Sequence, residues 1–265
     1  MIIPRKRKEK EMRNMDLKAF FAWLFSENTS ELQIGLFDVW HFLYLFIIFG
    51  GTALLGILVK KKEMQEKVMH LMAYLTIGLY LADFFIMPLS DSYDGISAYK
   101  LPYNVCTIMA VMVPFVQFNK KFAPIRTPVA VISVASSVMW MCYPGTALGG
   151  QPPFCYLIFQ TFMYHGFLFC WGVLNMVYGA VVLNIRKIWK ELCGILMIFL
   201  WAKFGNTVYD RRYNWFFIEE SIFPFLKDEI MPIAVISSVF AVCLVIYGAY
   251  YGIRRLVCKK EKRAV

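Results

Sequence analysis

Between Arg126 and Arg186 the chain has no Asp, Glu, Lys or Arg, and of its three histidines only His165 falls in that interval. Charge is scarce overall. Asp, Glu, Lys and Arg make up 17% of the residues, where a soluble domain carries about a quarter. CxxC pairs are missing, and none of the seven cysteines stands at metal-ligand spacing from a histidine. With no glycine-rich phosphate loop either, the sequence implies no metal, nucleotide or other cofactor. No nucleic-acid module accompanies the formal charge of +10. The 28 Lys and Arg gather between apolar blocks and at both ends, as membrane proteins place them, so nucleic acid is not an expected partner.

What is present is apolar: 59% of the residues are hydrophobic, 17% are aromatic, and the mean hydropathy is +0.55. A spanning helix needs about 20 largely apolar residues at 1.5 Å rise each. Seven blocks qualify, at 38–59, 68–89, 101–118, 124–143, 154–183, 191–209 and 231–252. The predicted fold is therefore all-α, a polytopic membrane bundle of seven transmembrane helices. The third block (Asn104, Pro114, Gln117) and the sixth (Lys203, Asn206) carry the most polar interruptions, and discounting one leaves six. Inside a bundle, neighbouring helices satisfy such groups.

Residues 1–30 read as a basic tail followed by a short interfacial helix over Asp16–Phe25, and residues 31–265 as a single transmembrane domain. A signal peptide is the rival reading of the first segment. Its apolar core, Ala19–Phe25, is short, and Ser26-Glu27-Asn28 lacks a small-x-small cleavage pattern. Cys142 and Cys155 bracket a Pro/Gly-rich loop where a disulfide is conceivable, although unpaired apolar-helix cysteines are the plainer reading. Cys258, before a basic run, is a weak palmitoylation signal.

Loops 60–67, 119–126 and 184–190 and the C-terminal tail hold most of the Lys and Arg, whereas loop 90–100 has only Lys100 and loop 144–153 has none. The positive-inside rule places the first set, and the C-terminus, in the cytoplasm, with the N-terminus outside. Glycines 50, 51 and 56 and serines 133, 136 and 137 suggest close helix packing.

On this topology the polar residues converge on the outer half: Asp38 and His41, Asp83, Asn104 and Cys106, Gln160, Thr161 and His165, and Asn206, Asp210 and Asn214. An imidazole in an apolar span needs a partner, which makes His165 the leading candidate for function. Asp83 needs one too, and Lys203 or Arg211 is available to neutralise it. Cys106 is the nucleophile that would suit His165. A thiolate attacks an acyl ester, and the imidazole first accepts the thiol proton and later returns it to the leaving group. Asp83 or Asn206 would orient the imidazole, and Asn104 or Asn214 would donate to the oxyanion. With Cys106 and His165 as catalytic residues, Asp83, Asn104, Asn206 and Asn214 form the expected substrate-binding set, and a membrane lipid is the expected substrate.

Three segments carry a family resemblance: Leu101-Pro102-Tyr103-Asn104-Val105-Cys106 opening a span, Tyr164-His165-Gly166 in a later span, and Tyr213-Asn214-Trp215-Phe216 after the sixth. In these the chain resembles the YwaF-like integral membrane proteins, which are related to the vertebrate transmembrane acyltransferase that remodels ether phospholipids. Where family members often have His two residues before the Cys, this chain has Asn104. The resemblance implies that Cys106 accepts the acyl group, that His165 is its base and that a bacterial plasma membrane is the location. The rival readings are a transporter or ligand-binding membrane protein using the same polar cavity, and a scaffold. A retinal photoreceptor is disfavoured because 231–252 has no Lys.

Overall fold

The computed structural model describes residues 33–89, 98–144, 152–209, 213–221 and 226–263. The basic tail, the helix expected over 16–25, Asp210, Arg211 and the Cys258 side chain lie outside the described residues. Among the described residues seven α-helices follow one another: α1 (Val39–Leu58), α2 (Lys62–Ile86), α3 (Val105–Phe118), α4 (Arg126–Cys142), α5 (Tyr156–Val177), α6 (Trp189–Val208) and α7 (Met231–Arg263). Short 3-10 turns join several of them, and no strand occurs among the described residues. Six of the described segments are long and apolar enough to cross a membrane. The interrupted sixth block is one of them, whereas the third is the short one. At 14 residues α3 extends about 21 Å, less than the roughly 30 Å hydrocarbon core.

Local chemistry explains where the helices depart from the apolar blocks. Block three opens with Leu101-Pro102, and proline disfavours helical backbone in the residue before it. Residues 101–103 instead form a turn, with Tyr103 N donating to Leu101 O at 2.7 Å, and Asn104 becomes the N-cap of α3. Thr107 Oγ1 accepts from Asn104 N at 3.2 Å, supplying a partner for a backbone donor at the helix start. Helix α5 stops six residues before its block does. Gly179 there adopts φ +76°, and Val181 N donates back to Asn175 O at 2.9 Å, which turns the chain off the helix axis. Helices α2 and α7 overrun their blocks at the charged ends, where Lys, Glu and Arg are good helix formers.

Helices α4 and α5 form the centre. In each, 61% of the apolar stretch is buried, against 22% in α1 and α7. Helices α1 and α2 pack on α5, α3 packs between α2 and α4, and α6 and α7 close against α4. The central pair approaches closely at Gly172, where a Cβ would sit 2.6 Å from Val134 Cγ2 and 2.7 Å from the Ala130 carbonyl oxygen. Ser133, Ser136 and Ser137 are all buried on α4. Gly50 and Gly51, in contrast, have open space around them. Helix α1 buries the edge formed by His41, Tyr44, Ile48 and Thr52, so these two glycines fall off its packed edge; Gly56 approaches Val177 of α5. Phe46, Phe85, Met197 and Val245 point outward with large exposed areas, as side chains facing lipid do.

The alternation of seven helices puts residues 59–61, 119–125 and 178–188 and the end of α7 at one lysine-rich end of the bundle. The starts of α1, α3, α5 and α7 lie at the other end.

Candidate functional site

Asp83 stands in the last turn of α2 and is 1% exposed. A carboxylate so placed requires compensation. Lys100 supplies it: its Nζ lies 2.5 Å from Asp83 Oδ2, and Tyr156 OH donates to Oδ1 at 2.9 Å. Lys100 is itself held by backbone, since its carbonyl accepts from Tyr80 OH at 2.8 Å. Of the two cations expected to neutralise Asp83, Lys203 is elsewhere, 2.8 Å from Glu219. Arg211 lies outside the described residues.

His165 is buried in the middle of α5. Its Nδ1 is 2.7 Å from the carbonyl oxygen of Thr161, one turn earlier. A carbonyl only accepts, so Nδ1 carries the proton and Nε2 keeps its lone pair. Trp140 lies flat on the imidazole, ring centroids 4.0 Å apart and planes 6° from parallel. The ring orientation is thus fixed by Thr161 and Trp140, not by Asp83 or Asn206 as the sequence suggested. The Lys100 ammonium is near enough to act on His165 electrostatically.

Cys106 occupies the first turn of α3 and is partly exposed. Helix N-termini favour anionic groups. Ser136 of α4, whose Oγ donates to Ser133 O at 3.3 Å, is buried near the thiol. Cys106 and His165 are not hydrogen-bonded to each other. Tyr164 lies between their surroundings: it belongs to a buried cluster with Tyr80 and Ala110 against which Cys106 packs, and its ring meets the imidazole edge-on, centroids 4.8 Å apart. The Tyr164 hydroxyl is buried and has no hydrogen-bond partner among the described residues. Unpartnered buried hydroxyls are uncommon, because desolvation leaves them costly.

The three asparagines do different work. Asn206 receives Trp215 N on Oδ1 at 3.0 Å and donates from Nδ2 to Trp215 O at 3.2 Å. Asn214 receives Glu219 N at 2.9 Å and donates to Glu220 O at 2.7 Å. Both amides are therefore engaged on the backbone of the 213–221 segment, a scaffold position for two residues expected to bind substrate. Asn104 accepts from Phe216 N at 2.8 Å, and Phe216 has a left-handed φ of 60°. That bond ties the start of α3 to the same segment and leaves the Asn104 Nδ2 donors to other partners. The Asp38–His41 pair serves the start of α1: Asp38 caps His41 N at 2.8 Å, and His41 Nε2 donates to Met141 O at 2.8 Å. No disulfide joins Cys142, which is exposed, to Cys155, which is buried.

The chain was compared with protein-family models, with curated proteins and with solved structures, and it matches none of them. Geometry alone assembles the site. It brings Asp83, Cys106 and His165 into one neighbourhood through Tyr80, Lys100, Tyr156 and Tyr164, and it places Asn206 and Asn214 in the adjoining loop clamp. Lys100 had a sequence signal, being the one cation of loop 90–100 and lying next to the Leu-Pro-Tyr-Asn turn. Trp140 had none, because an aromatic residue near a span end is common in any membrane helix.

Proposed function

We propose that this chain is an integral membrane enzyme acting on lipid acyl chains, with Cys106 as nucleophile and His165 as general base. The observation that carries the reading is the placement of Tyr164, edge-on to His165 and in the buried cluster that Cys106 packs against, with an unengaged buried hydroxyl. Nε2 of His165 takes the proton from the Cys106 thiol, and the thiolate attacks the ester carbonyl carbon. The tetrahedral oxyanion accepts a hydrogen bond from Tyr164 OH, assisted by Asn104 Nδ2. As the acyl–oxygen bond breaks, the alkoxide takes the proton back from the imidazolium, leaving a thioester on Cys106. A second hydroxyl then repeats the sequence. A lipid hydroxyl makes the reaction a transfer, and water makes it a hydrolysis. This route requires the thiol and Nε2 to meet when an acyl chain is bound, since hydrogen bonds in unliganded sites often form only in the substrate complex. The resemblance at Cys106, His165 and Asn214 supports the same assignment.

A second reading is a lipid- or small-molecule-binding membrane protein that uses the same polar cluster. It is favoured by the lack of a Cys106–His165 hydrogen bond. One experiment separates the two readings. The purified protein is incubated with phospholipids bearing an alkyne-tagged acyl chain and probed for a hydroxylamine-sensitive label. The enzyme reading expects labelling that vanishes in Cys106→Ala and falls about a hundredfold or more in His165→Ala. Saturable lipid binding without any thioester, unchanged in Cys106→Ala, replaces it with the second reading.

A further inference from the structure

At the lysine-rich end of the bundle, opposite the polar cluster, a cavity of about 460 Å3 opens where the start of α4, the α5–α6 connection, the start of α6 and the middle of α7 meet. Its polar lining is Thr127, Asn184, Lys187, Lys190, Glu191 and Tyr247. Glu191 is the unusual member. It is 1% exposed, and Tyr247 OH donates to its Oε1 at 3.0 Å, but Oε2 is buried with no hydrogen-bond partner. Lys190 acts on the carboxylate electrostatically, yet no ion pair within 4.0 Å joins them. An ionised carboxylate with one oxygen unserved inside a protein is expensive, and a charge-assisted donor from a ligand removes that deficit.

The surroundings fix the kind of ligand. Val182 of the cavity lining and its chain neighbours Ile185 and Trp189 expose about half or more of their apolar side chains, which sets this level at the membrane interface. Lys187 and Lys190 offer cationic donors to a phosphate, and Asn184 adds an amide whose Oδ1 is already taken by Arg186 N at 3.0 Å. One cavity thus combines donors for a phosphodiester with an acceptor for an ammonium.

We propose that this cavity binds the zwitterionic phosphoethanolamine group, phosphate toward Lys187 and Lys190 and primary ammonium toward Glu191. A quaternary ammonium has no N–H to give Glu191, and a glycerol headgroup has no cation to pair with it, so the site distinguishes ethanolamine lipids from choline and glycerol ones. It requires nothing of Cys106 or His165 and stands or falls independently of acyl chemistry.

The test is lipid retention by the full chain purified into nanodiscs containing equal ethanolamine, choline and glycerol phospholipids, read by native mass spectrometry. Ethanolamine lipid is expected to be retained about tenfold over the other two, the ratio one charge-assisted hydrogen bond supplies. Glu191→Gln, nearly the same size, is expected to erase that preference while leaving total retention of choline lipid unchanged. Lys187→Ala with Lys190→Ala is expected to lower retention of all three lipids. A denaturation midpoint of Glu191→Gln equal to that of the unmodified chain is the control against loss of fold. A second arm adds free O-phosphoethanolamine to nanodiscs lacking ethanolamine lipid. Saturable binding there assigns a soluble ligand, retention of the diacyl lipid alone assigns the membrane, and both support the site. Equal retention of the three lipids by the unmodified chain, or an ethanolamine preference that survives Glu191→Gln, overturns it.

Discussion

Trp140 of α4 covers the face of the His165 imidazole of α5 at 4.0 Å and within 6° of parallel. The contact crosses the central helix pair and, with the Nδ1–Thr161 bond, leaves Nε2 as the ring atom available to a reactant. An aromatic pair of this kind contributes about 0.5 to 1.5 kcal/mol beyond its buried area. Trp140→Phe is expected to preserve most acyl-labelling activity. Trp140→Ala is expected to lower it about tenfold or more, while His165→Ala lowers it further, as read by initial rates in detergent. Equal activity in all three proteins would remove His165 from the chemistry.

Asp83 and Lys100 form a buried pair in which each partner holds the other. Removing one charge strands the other, at a cost of about 3 kcal/mol. Lys100→Met is expected to destabilise the protein by roughly that amount in detergent-based denaturation. The double variant Asp83→Asn, Lys100→Met is expected to recover at least half of the loss, because the amide still accepts from Tyr156. A double variant as unstable as the single one would mean that the pair does not account for the effect.

Asn206 satisfies both backbone groups of Trp215. Its replacement by Ala leaves a buried N–H and a buried C=O without partners, expected to cost about 2 to 4 kcal/mol. Asn206→Asp keeps the acceptor but turns a buried carboxylate toward the Trp215 carbonyl, so a loss at least as large as that of the alanine variant is expected. Trp215 is fully buried among Tyr103, Tyr209 and Tyr213, and its fluorescence should report the release of the loop. If Asn206 instead bound substrate alone, stability would not change.

Gly172 admits α4 to within van der Waals contact of α5. A methyl there meets Val134 Cγ2 and the Ala130 carbonyl, and a carbonyl in a helix cannot move aside. Gly172→Ala is expected to destabilise the bundle by about 1 to 3 kcal/mol, whereas Gly50→Ala, with open space around it, is expected to change little. A thermal-shift comparison of the two variants checks this directly.

Cys142 is exposed at the lysine-poor end and Cys155 is buried. In a variant retaining Cys142 as its one cysteine, a membrane-impermeant maleimide is expected to label intact cells, because the positive-inside rule puts that end outside. Labelling only after lysis would reverse the orientation.

The apolar helices were legible in the sequence because a run long enough to cross hydrocarbon is a local property, although α3 is shorter than its apolar block. His165 was legible for the same reason, since nothing charged surrounds it in the chain. The boundaries of α3 and α5 were less so, although Pro102 and Gly179 carry the local chemistry that sets them. The partners of the polar residues were not legible. Lys100, and not Lys203, neutralises Asp83, because which cation meets a buried carboxylate depends on how α2 packs beside the turn before α3. Asn206 and Asn214 look like site residues in one dimension and serve a loop in three, since an amide side chain satisfies backbone and substrate with the same atoms. Glu191 gave no signal at all among its basic neighbours. It becomes notable only when α7 brings Tyr247 to one of its oxygens and leaves the other alone. Amino-acid order was enough to locate the apolar helices, because transfer from water to hydrocarbon is decided residue by residue. Tertiary structure alone decided which polar groups face each other across helices, because hydrogen bonds and ion pairs act only over a few ångströms.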